Sequence, residues 1–214
     1  LGIELTEKGV AKDSCAHCSI VKAQQKDILK ESKHKKTDII GQRKFTDISS
    51  IKKPKNKTIQ INGKRHWRLT VEEAVGLKIG SFHENKNDMV PVQAKELQQE
   101  KAERRPTRYL RMDNSGENKK LAESVNSKDY QLNITLEYTA CDMPQQNAPV
   151  EVAFKTLYAR AKASFKRANV PMRVQYKIFS EWIQTVTKLD GLTVVEHQGQ
   201  KKTRYEHVYG KKLK

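Results

Sequence analysis

The sequence predicts an α/β fold, because short strand-like apolar runs come first and then alternate with helical patterns along the chain. The predicted order is three strands, a helix, a strand, a helix, a strand and two longer helices. At 214 residues the chain suits one domain of about 150 residues with appendages, which is long enough to bury a hydrophobic core.

The strand candidates are short runs of apolar and β-branched residues that end at polar or glycine-containing turns. Residues 1–43 are polar and Lys-rich, and we interpret them as an appendage and a linker ahead of a core at 44–170 and a further helix and basic tail at 171–214. The charged Lys52–Lys57 loop suits solvent or phosphate. The predicted strands are 44–51, 64–71, 76–83, 107–112 and 132–138, and the shorter helices are 89–102 and 118–127.

The predicted helix at 150–167 has two distinct faces at 100° per residue. Glu151, Lys155, Lys162 and Lys166 fall within about 60° of one another, so an acid stands at the head of a basic stripe that could follow a phosphate backbone. The alternative is a solvated surface with an ordinary ion pair between Glu151 and Lys155. The apolar stripe, which predicts the core side, is Val150, Phe154, Leu157, Tyr158, Ala161 and Phe165.

The predicted helix at 172–189 also has apolar residues at helical spacing, which indicates packing against the core. Trp182 is the expected anchor of this face, because its ring offers the largest apolar area. The other members are Val174, Ile178, Phe179, Ile183, Val186 and Leu189.

The chain is strongly basic, with 42 Lys and Arg against 25 Asp and Glu and a formal charge of +17. Such an excess favours a polyanionic partner, although ribosomal, chromatin and membrane-surface proteins share it. We find no apolar run of 18 residues and no signal-peptide pattern, which disfavours a secreted or membrane-spanning product. Three cysteines fit a reducing nuclear or cytoplasmic setting. Because the first residue is Leu1, we expect a fragment of a larger polyprotein.

Three acids carry the chemical prediction. Asp47 lies inside a strand-like run, Asp113 follows a strand and meets a turn, and Glu151 opens a helix. Any one of them taken alone is more often a surface residue or a cap. Together, three carboxylates on three elements suit a pair of hard divalent cations, since Mg²⁺ prefers oxygen ligands.

The stretches around these acids resemble a known family. TDISSI at 46–51, LRMDNSGE at 110–117 and MPQQNAPVE at 143–151 are similar to the acid motifs of the integrase core of Ty1/copia-type retrotransposons, within the retroviral integrase superfamily. CAHC at 15–18, followed by Lys22, resembles the end of the family's pre-integrase zinc module. Phe179-Ser-Glu-Trp182 resembles the family's post-core helix, and residues 203–212 are similar to the segment on the C-terminal side of its core.

The resemblance implies a ribonuclease-H-like fold with a mixed central sheet flanked by helices and a partial zinc appendage. It implies that Asp47 and Asp113 bridge two Mg²⁺ (or Mn²⁺) ions, that Glu151 holds one of them, and that the site joins retroelement DNA ends to target DNA. Gln146 and Asn147 would contact DNA together with the helix lysines. A homo-oligomer is expected, and no membrane partner.

The chain departs from the family pattern at Ala148, where glycine is usual, and at Val152, where arginine is usual. Cys15 and Cys18 supply half of a tetrahedral zinc site, so zinc would need ligands upstream of this sequence. Three alternatives stay open: a catalytically degenerate remnant that only binds nucleic acid, a ribonuclease-H-like nuclease, and a zinc-dependent DNA-binding adaptor.

Overall fold

The structure is a computed structural model that describes residues 36–51, 64–139 and 147–212, all within one unit, Lys36–Lys214. The predictions for Cys15, Cys18, Gln146 and the Lys52–Lys57 loop lie outside these residues. Within them, no helix is both long and apolar enough to cross a membrane.

A five-stranded mixed sheet forms the centre of the fold. In space the strands run in the order β3-β2-β1-β4-β5. Strands β1, β2 and β3 pair antiparallel as a meander, whereas β1, β4 and β5 are parallel. The strands are β1 Arg43–Ser50, β2 His66–Glu72, β3 Lys78–His83, β4 Tyr109–Met112 and β5 Thr135–Tyr138.

Helices connect and cover these strands, as expected where parallel neighbours need crossover connections. A short 3-10 turn, Lys86–Asp88, precedes the first helix. A hairpin and a short final helix follow the last long helix. These elements are α1 Met89–Ala102, α2 Gly116–Val125, α3 Ala148–Arg167, α4 Met172–Gly191, β6 Val194–His197, β7 Gln200–Thr203 and α5 Arg204–Tyr209.

One face of the sheet is apolar and is covered by α3 and α4. The ring of Trp67 stacks on Phe82 with centroids 5.6 Å apart and meets Phe154 of α3 edge-on at 4.7 Å. Trp182 packs against this cluster, as predicted. The buried members are Phe45, Trp67, Leu69, Val71, Phe82, Val150, Ala153, Leu157, Ala161, Ile183 and Val186.

The opposite face is polar where β1 and β2 cross it, yet it is buried under α1. Arg68, only 1% exposed, donates from Nη2 to Glu96 Oε2 at 2.6 Å and from Nε to Ser81 Oγ at 3.0 Å. Lys44 forms an ion pair with Glu100 in the same layer. Each buried cation therefore has a carboxylate partner on α1, which is the condition for burying a charge.

Three residues assigned to apolar stripes are exposed instead. Tyr158 is 50% exposed, Ile178 38% and Leu189 59%. Each predicted apolar stripe is wider than the surface that its helix buries, so residues at the margin of the stripe are exposed to solvent. Of the other assigned residues, Phe165 is buried outside this cluster and Val174 is half-buried. The rest belong to the core on the apolar face or pack against it.

Candidate active site

Asp47 lies on β1, and Asp113 is the first residue after β4, the parallel neighbour of β1, so both acids lie toward the same end of these two strands. Phe45 of β1 is in register with Arg111 of β4, and each acid lies two residues further along its strand direction. Side chains alternate along a strand, so both carboxylates belong to the face that carries Phe45. The register thus brings together two acids that are separated by a helix and three strands in the sequence.

The start of α3 contacts β1 next to Asp47. Asn147, at the N-terminal boundary of α3 and 3% exposed, donates from Nδ2 to the carbonyl oxygen of Thr46 at 3.3 Å. Glu151 lies in the first turn of α3, where the partial positive charge of a helix N-terminus favours a carboxylate. Since α3 covers the face that carries Asp47, the third acid approaches from above the other two.

The electrostatics of Asp47 reflect this crowding. Burial, which has the largest effect, and the charges of Asp113 and Glu151 together raise the pKa of Asp47 from 3.8 to about 6. The Ile48 amide, which donates to Asp47 Oδ1 at 2.7 Å, and the charge of Lys86 oppose that rise. Asp47 therefore lies within electrostatic range of both other carboxylates, and the combined negative charge favours a cation.

Asp113 is held by its own turn. Asn118, 2% exposed on α2, donates from Nδ2 to Asp113 Oδ1 at 2.5 Å, and the Ser115 amide donates to the same oxygen at 3.2 Å. Asn118 was not singled out from the sequence. Its position five residues after Asp113, inside the helix that follows the turn, was the available signal, because the first turn of such a helix faces the end of the strand.

Lys86 is the second residue that the sequence reasoning missed. It lies in the 3-10 turn ahead of α1, 3.7 Å from Glu117 of α2, and its charge lowers the pKa of Asp47. It is a partly exposed cation beside the acids, so it can offset some of their mutual repulsion.

The donor set suits a hard divalent cation, since all three groups are carboxylates. In the part of the chain that the structure describes, however, no three His, Cys, Asp or Glu side chains form a complete metal-holding group. Asp47, Asp113 and Glu151 therefore do not form such a group in this structure.

The basic stripe of α3 is accessible along its length. Lys155, Lys162 and Lys166 are all exposed, and they continue from Glu151 away from the sheet edge. Asn147, predicted to contact DNA, is instead buried in its contact with Thr46, and its Oδ1 has no hydrogen-bond partner among the described residues. A DNA contact by Asn147 stays a prediction.

No family model matches the chain, and no curated protein matches it. Among solved structures it is similar to a chain in the cryo-EM structure of the simian T-cell lymphotropic virus intasome in complex with PP2A regulatory subunit B56 gamma. The TM-score is 0.58 and the identity 14%, over 94% of this chain and 65% of that chain. This chain thus spans less than two thirds of the other's length.

At this identity the similarity establishes the fold alone. The fold is α/β, with a mixed five-stranded sheet flanked by helices, and is compatible with the predicted ribonuclease-H-like arrangement. It is similar to the fold of a chain in that intasome complex.

Proposed function

We propose that this chain contains the catalytic core of a DNA strand transferase of the Ty1/copia retrotransposon type. The observation that carries the proposal is the placement of Asp47 on β1 and of Asp113 directly after the adjacent parallel strand β4, with Glu151 on the helix that covers the same face. The intasome-related fold and the formal charge of +17 support a DNA substrate.

The acids would hold Mg²⁺ or Mn²⁺ and position DNA around it. The charge of the bound ions would lower the pKa of an attacking water or 3′-hydroxyl and would stabilise the leaving oxygen. Asp47 contributes a carboxylate from within β1, Asp113 one from the turn that follows β4, and Glu151 one from the first turn of α3. Asn118 keeps Asp113 oriented through its 2.5 Å hydrogen bond. The α3 lysines bind the phosphate backbone beside the acids.

The full activity would need two DNA partners, the element's own ends and a target, and a homo-oligomer to hold them. The zinc interpretation of Cys15 and Cys18 remains a proposal that depends on ligands outside this sequence. Localisation to the nucleus or cytoplasm follows from the proposed substrate.

Replacing Asp113 with Asn tests the catalytic proposal. The neutral amide keeps the shape of the side chain but is a poor ligand for a cation pair, so divalent-ion-dependent strand transfer should fall to background while DNA affinity stays within about twofold. The assay joins a labelled oligonucleotide to plasmid DNA, using the chain extended to include its flanking sequence. The exposed Asp129→Asn serves as the matched control. Equal activity in wild type and Asp113→Asn would refute catalysis by this site.

A second candidate is nucleic-acid binding without catalysis. It is favoured by Ala148 in place of the family's usual glycine. It is also favoured because the described residues contain no group of three side chains that could hold a metal ion. This candidate predicts salt-sensitive DNA binding, no strand transfer or cleavage by the wild type, and no change of thermal stability on adding Mg²⁺.

A further inference from the structure

The outer edge of β3 forms one wall of a cleft of about 480 Å³ on the side of the sheet far from β4 and the acids. The cleft is lined by the residues from Leu77 through Phe82. Four residues of α4 at helical spacing form a second wall, and two tyrosines of α5, whose ring centroids are 4.4 Å apart, close one end. The helical lining residues are Gln184, Thr187, Lys188, Gly191, Tyr205 and Tyr209.

The strand register shows which backbone groups face this cleft. The Glu72 amide donates to the Leu77 carbonyl at 2.9 Å, so that pair is hydrogen-bonded across β2 and β3. Antiparallel pairs alternate, which makes the pairs at Lys78, Gly80 and Phe82 the non-hydrogen-bonded ones. The N–H and C=O groups of these three residues therefore point away from β2, toward the open edge.

Alternating donors and acceptors along an edge match another polypeptide strand. Among the described residues β3 is the last strand of the sheet, with no strand beyond it. Phosphates offer acceptors only, so a nucleic-acid backbone would satisfy the three N–H groups and leave the three carbonyls facing like charge. A row of unpaired edge groups beside a lined cleft is the arrangement that binds peptides by adding a strand.

The charge around the cleft selects an acidic peptide. Lys78 and Lys188 line it, and no acidic side chain does so within the described residues. Next to the lining residue Gly191, Asp190 contacts Lys78, Arg160 and Arg204, so three cations surround one carboxylate. A second copy of this chain would place the same lysines, and a further formal charge of +17, beside β3. Repulsion between these charges opposes pairing of two copies at β3.

We infer that this cleft, the β3 groove, binds an extended acidic peptide segment of a protein partner as a sixth strand beside β3. Backbone hydrogen bonds to Lys78, Gly80 and Phe82 supply affinity, and acidic side chains near Lys188 supply selectivity. The inference concerns a surface away from the acids and does not depend on the proposed DNA chemistry.

The test is amide hydrogen exchange of the full chain, read by NMR, with a capped eight-residue peptide of alternating Glu and Val. Binding should slow exchange at Lys78, Gly80 and Phe82 by at least about tenfold. It should leave Ile79 and Ser81, already bonded to β2, nearly unchanged. The alternation is the signature of strand addition, because a nonspecific contact would protect neighbours alike.

Two controls isolate the backbone and the charge. The same peptide N-methylated at alternate residues, and a Lys-Val peptide of equal length, should each bind at least about tenfold more weakly. Lys188→Glu should weaken the Glu-Val peptide several-fold, whereas Lys95→Glu, an equal charge change at an exposed position of α1, should not.

Three results would overturn the inference. One is no binding at millimolar peptide, or binding that protects other segments. Another is concentration-dependent protection of the three amides without peptide, which would assign the edge to a second copy. The last is the same alternating protection produced by a single-stranded oligonucleotide.

Discussion

Asp47 is a carboxyl group whose surroundings disfavour its own charge. Burial and, to a smaller extent, the nearby carboxylates of Asp113 and Glu151 together raise its pKa to about 6. A group with a raised folded-state pKa stabilises the fold fully below its unfolded pKa, near 3.8, and that contribution is lost as the pH rises through about 6. At neutral pH, without a bound cation, the ionised Asp47 therefore lowers stability.

Replacing Asp47 with Asn should accordingly stabilise the metal-free chain at pH 7.5. The amide oxygen can still accept from the Ile48 amide, while the repulsion among three carboxylates is relieved. A gain on the order of 1 kcal/mol, or a few degrees in Tm, is expected in EDTA.

Thermal scans of both proteins at pH 4.5 and 7.5, with and without Mg²⁺, measure this effect. The advantage of Asp47→Asn should shrink at pH 4.5, and added Mg²⁺ should stabilise the wild type more than the variant. A variant that is less stable than wild type at pH 7.5 in EDTA would contradict the electrostatic account of this edge.

At the scale of elements, α3 joins the two proposed parts of the site. Glu151 lies in its first turn, while Lys155, Lys162 and Lys166 follow on the exposed side. The buried side is formed by residues such as Val150 and Leu157, which belong to the core between α3 and the apolar face of the sheet. One helix therefore fixes the distance between the acid and the basic stripe.

Changing Lys155, Lys162 and Lys166 together to Ala should flatten the slope of log DNA affinity against log salt by about 2 to 3 units, near one for each lost phosphate contact. Stability should move by about 0.5 kcal/mol or less, because the three side chains are exposed. Filter binding or anisotropy over a salt series measures the slope.

The matched control changes Lys95, Lys119 and Lys128, which are exposed on or after α1 and α2. It removes the same charge from the side of the sheet opposite α3. An equal loss of slope in both triple variants would show that net charge, and not the α3 stripe, determines DNA affinity.

The elements were largely predictable because each has its own period or turn signal. The ends of the predicted strands and long helices lie within three residues of the observed ends, and Asp113 follows β4 as expected. The pattern of β1 and β2 did not predict the buried polar layer. Lys44 and Arg68 are charged, and only the carboxylates that α1 places opposite them make their burial possible.

The candidate site was predictable in its members and not in its spacing. Sequence motifs singled out Asp47, Asp113 and Glu151, but the strand register that sets two acids side by side is a long-range property. Asn118 and Lys86 were missed for the same reason, since their roles depend on where α2 and the 3-10 turn end up. The β6–β7 hairpin was also missed, because 194–203 is short and polar.

At the scale of the whole molecule, Asp190 connects four elements. It is 1% exposed at the end of α4 and accepts from Lys78 of β3, Arg160 of α3 and Arg204 of α5. Burial alone would raise its pKa, but the hydrogen bond from Lys78 and the three positive charges hold the pKa below its ordinary value. Its stabilising effect is therefore present at neutral pH and is lost as the pH falls from about 3.8 through the lowered value.

Asp190→Asn should destabilise the chain by roughly 3 kcal/mol at pH 7, because it leaves partly buried cations without their counter-charge. Urea unfolding at pH 7 and pH 3 measures the difference, with Asp129→Asn as the exposed control. The difference in the free energy of unfolding between wild type and Asp190→Asn should be smaller at pH 3 than at pH 7. An equal difference at both pH values would show that the loss comes from a change of side-chain shape and not from the lost charge.

The side chain of Arg204 also donates from Nε to the Val75 carbonyl at 3.1 Å, across a separation of 129 residues. The turn between β2 and β3 is therefore completed by a residue close to the end of the sequence. During synthesis the β1–β3 meander leaves the ribosome long before α5. Until Arg204 is synthesised, the turn between β2 and β3 therefore lacks the hydrogen bond to the Val75 carbonyl. A nascent chain halted before Arg204 should accordingly be more open to proteases at this corner than the released protein.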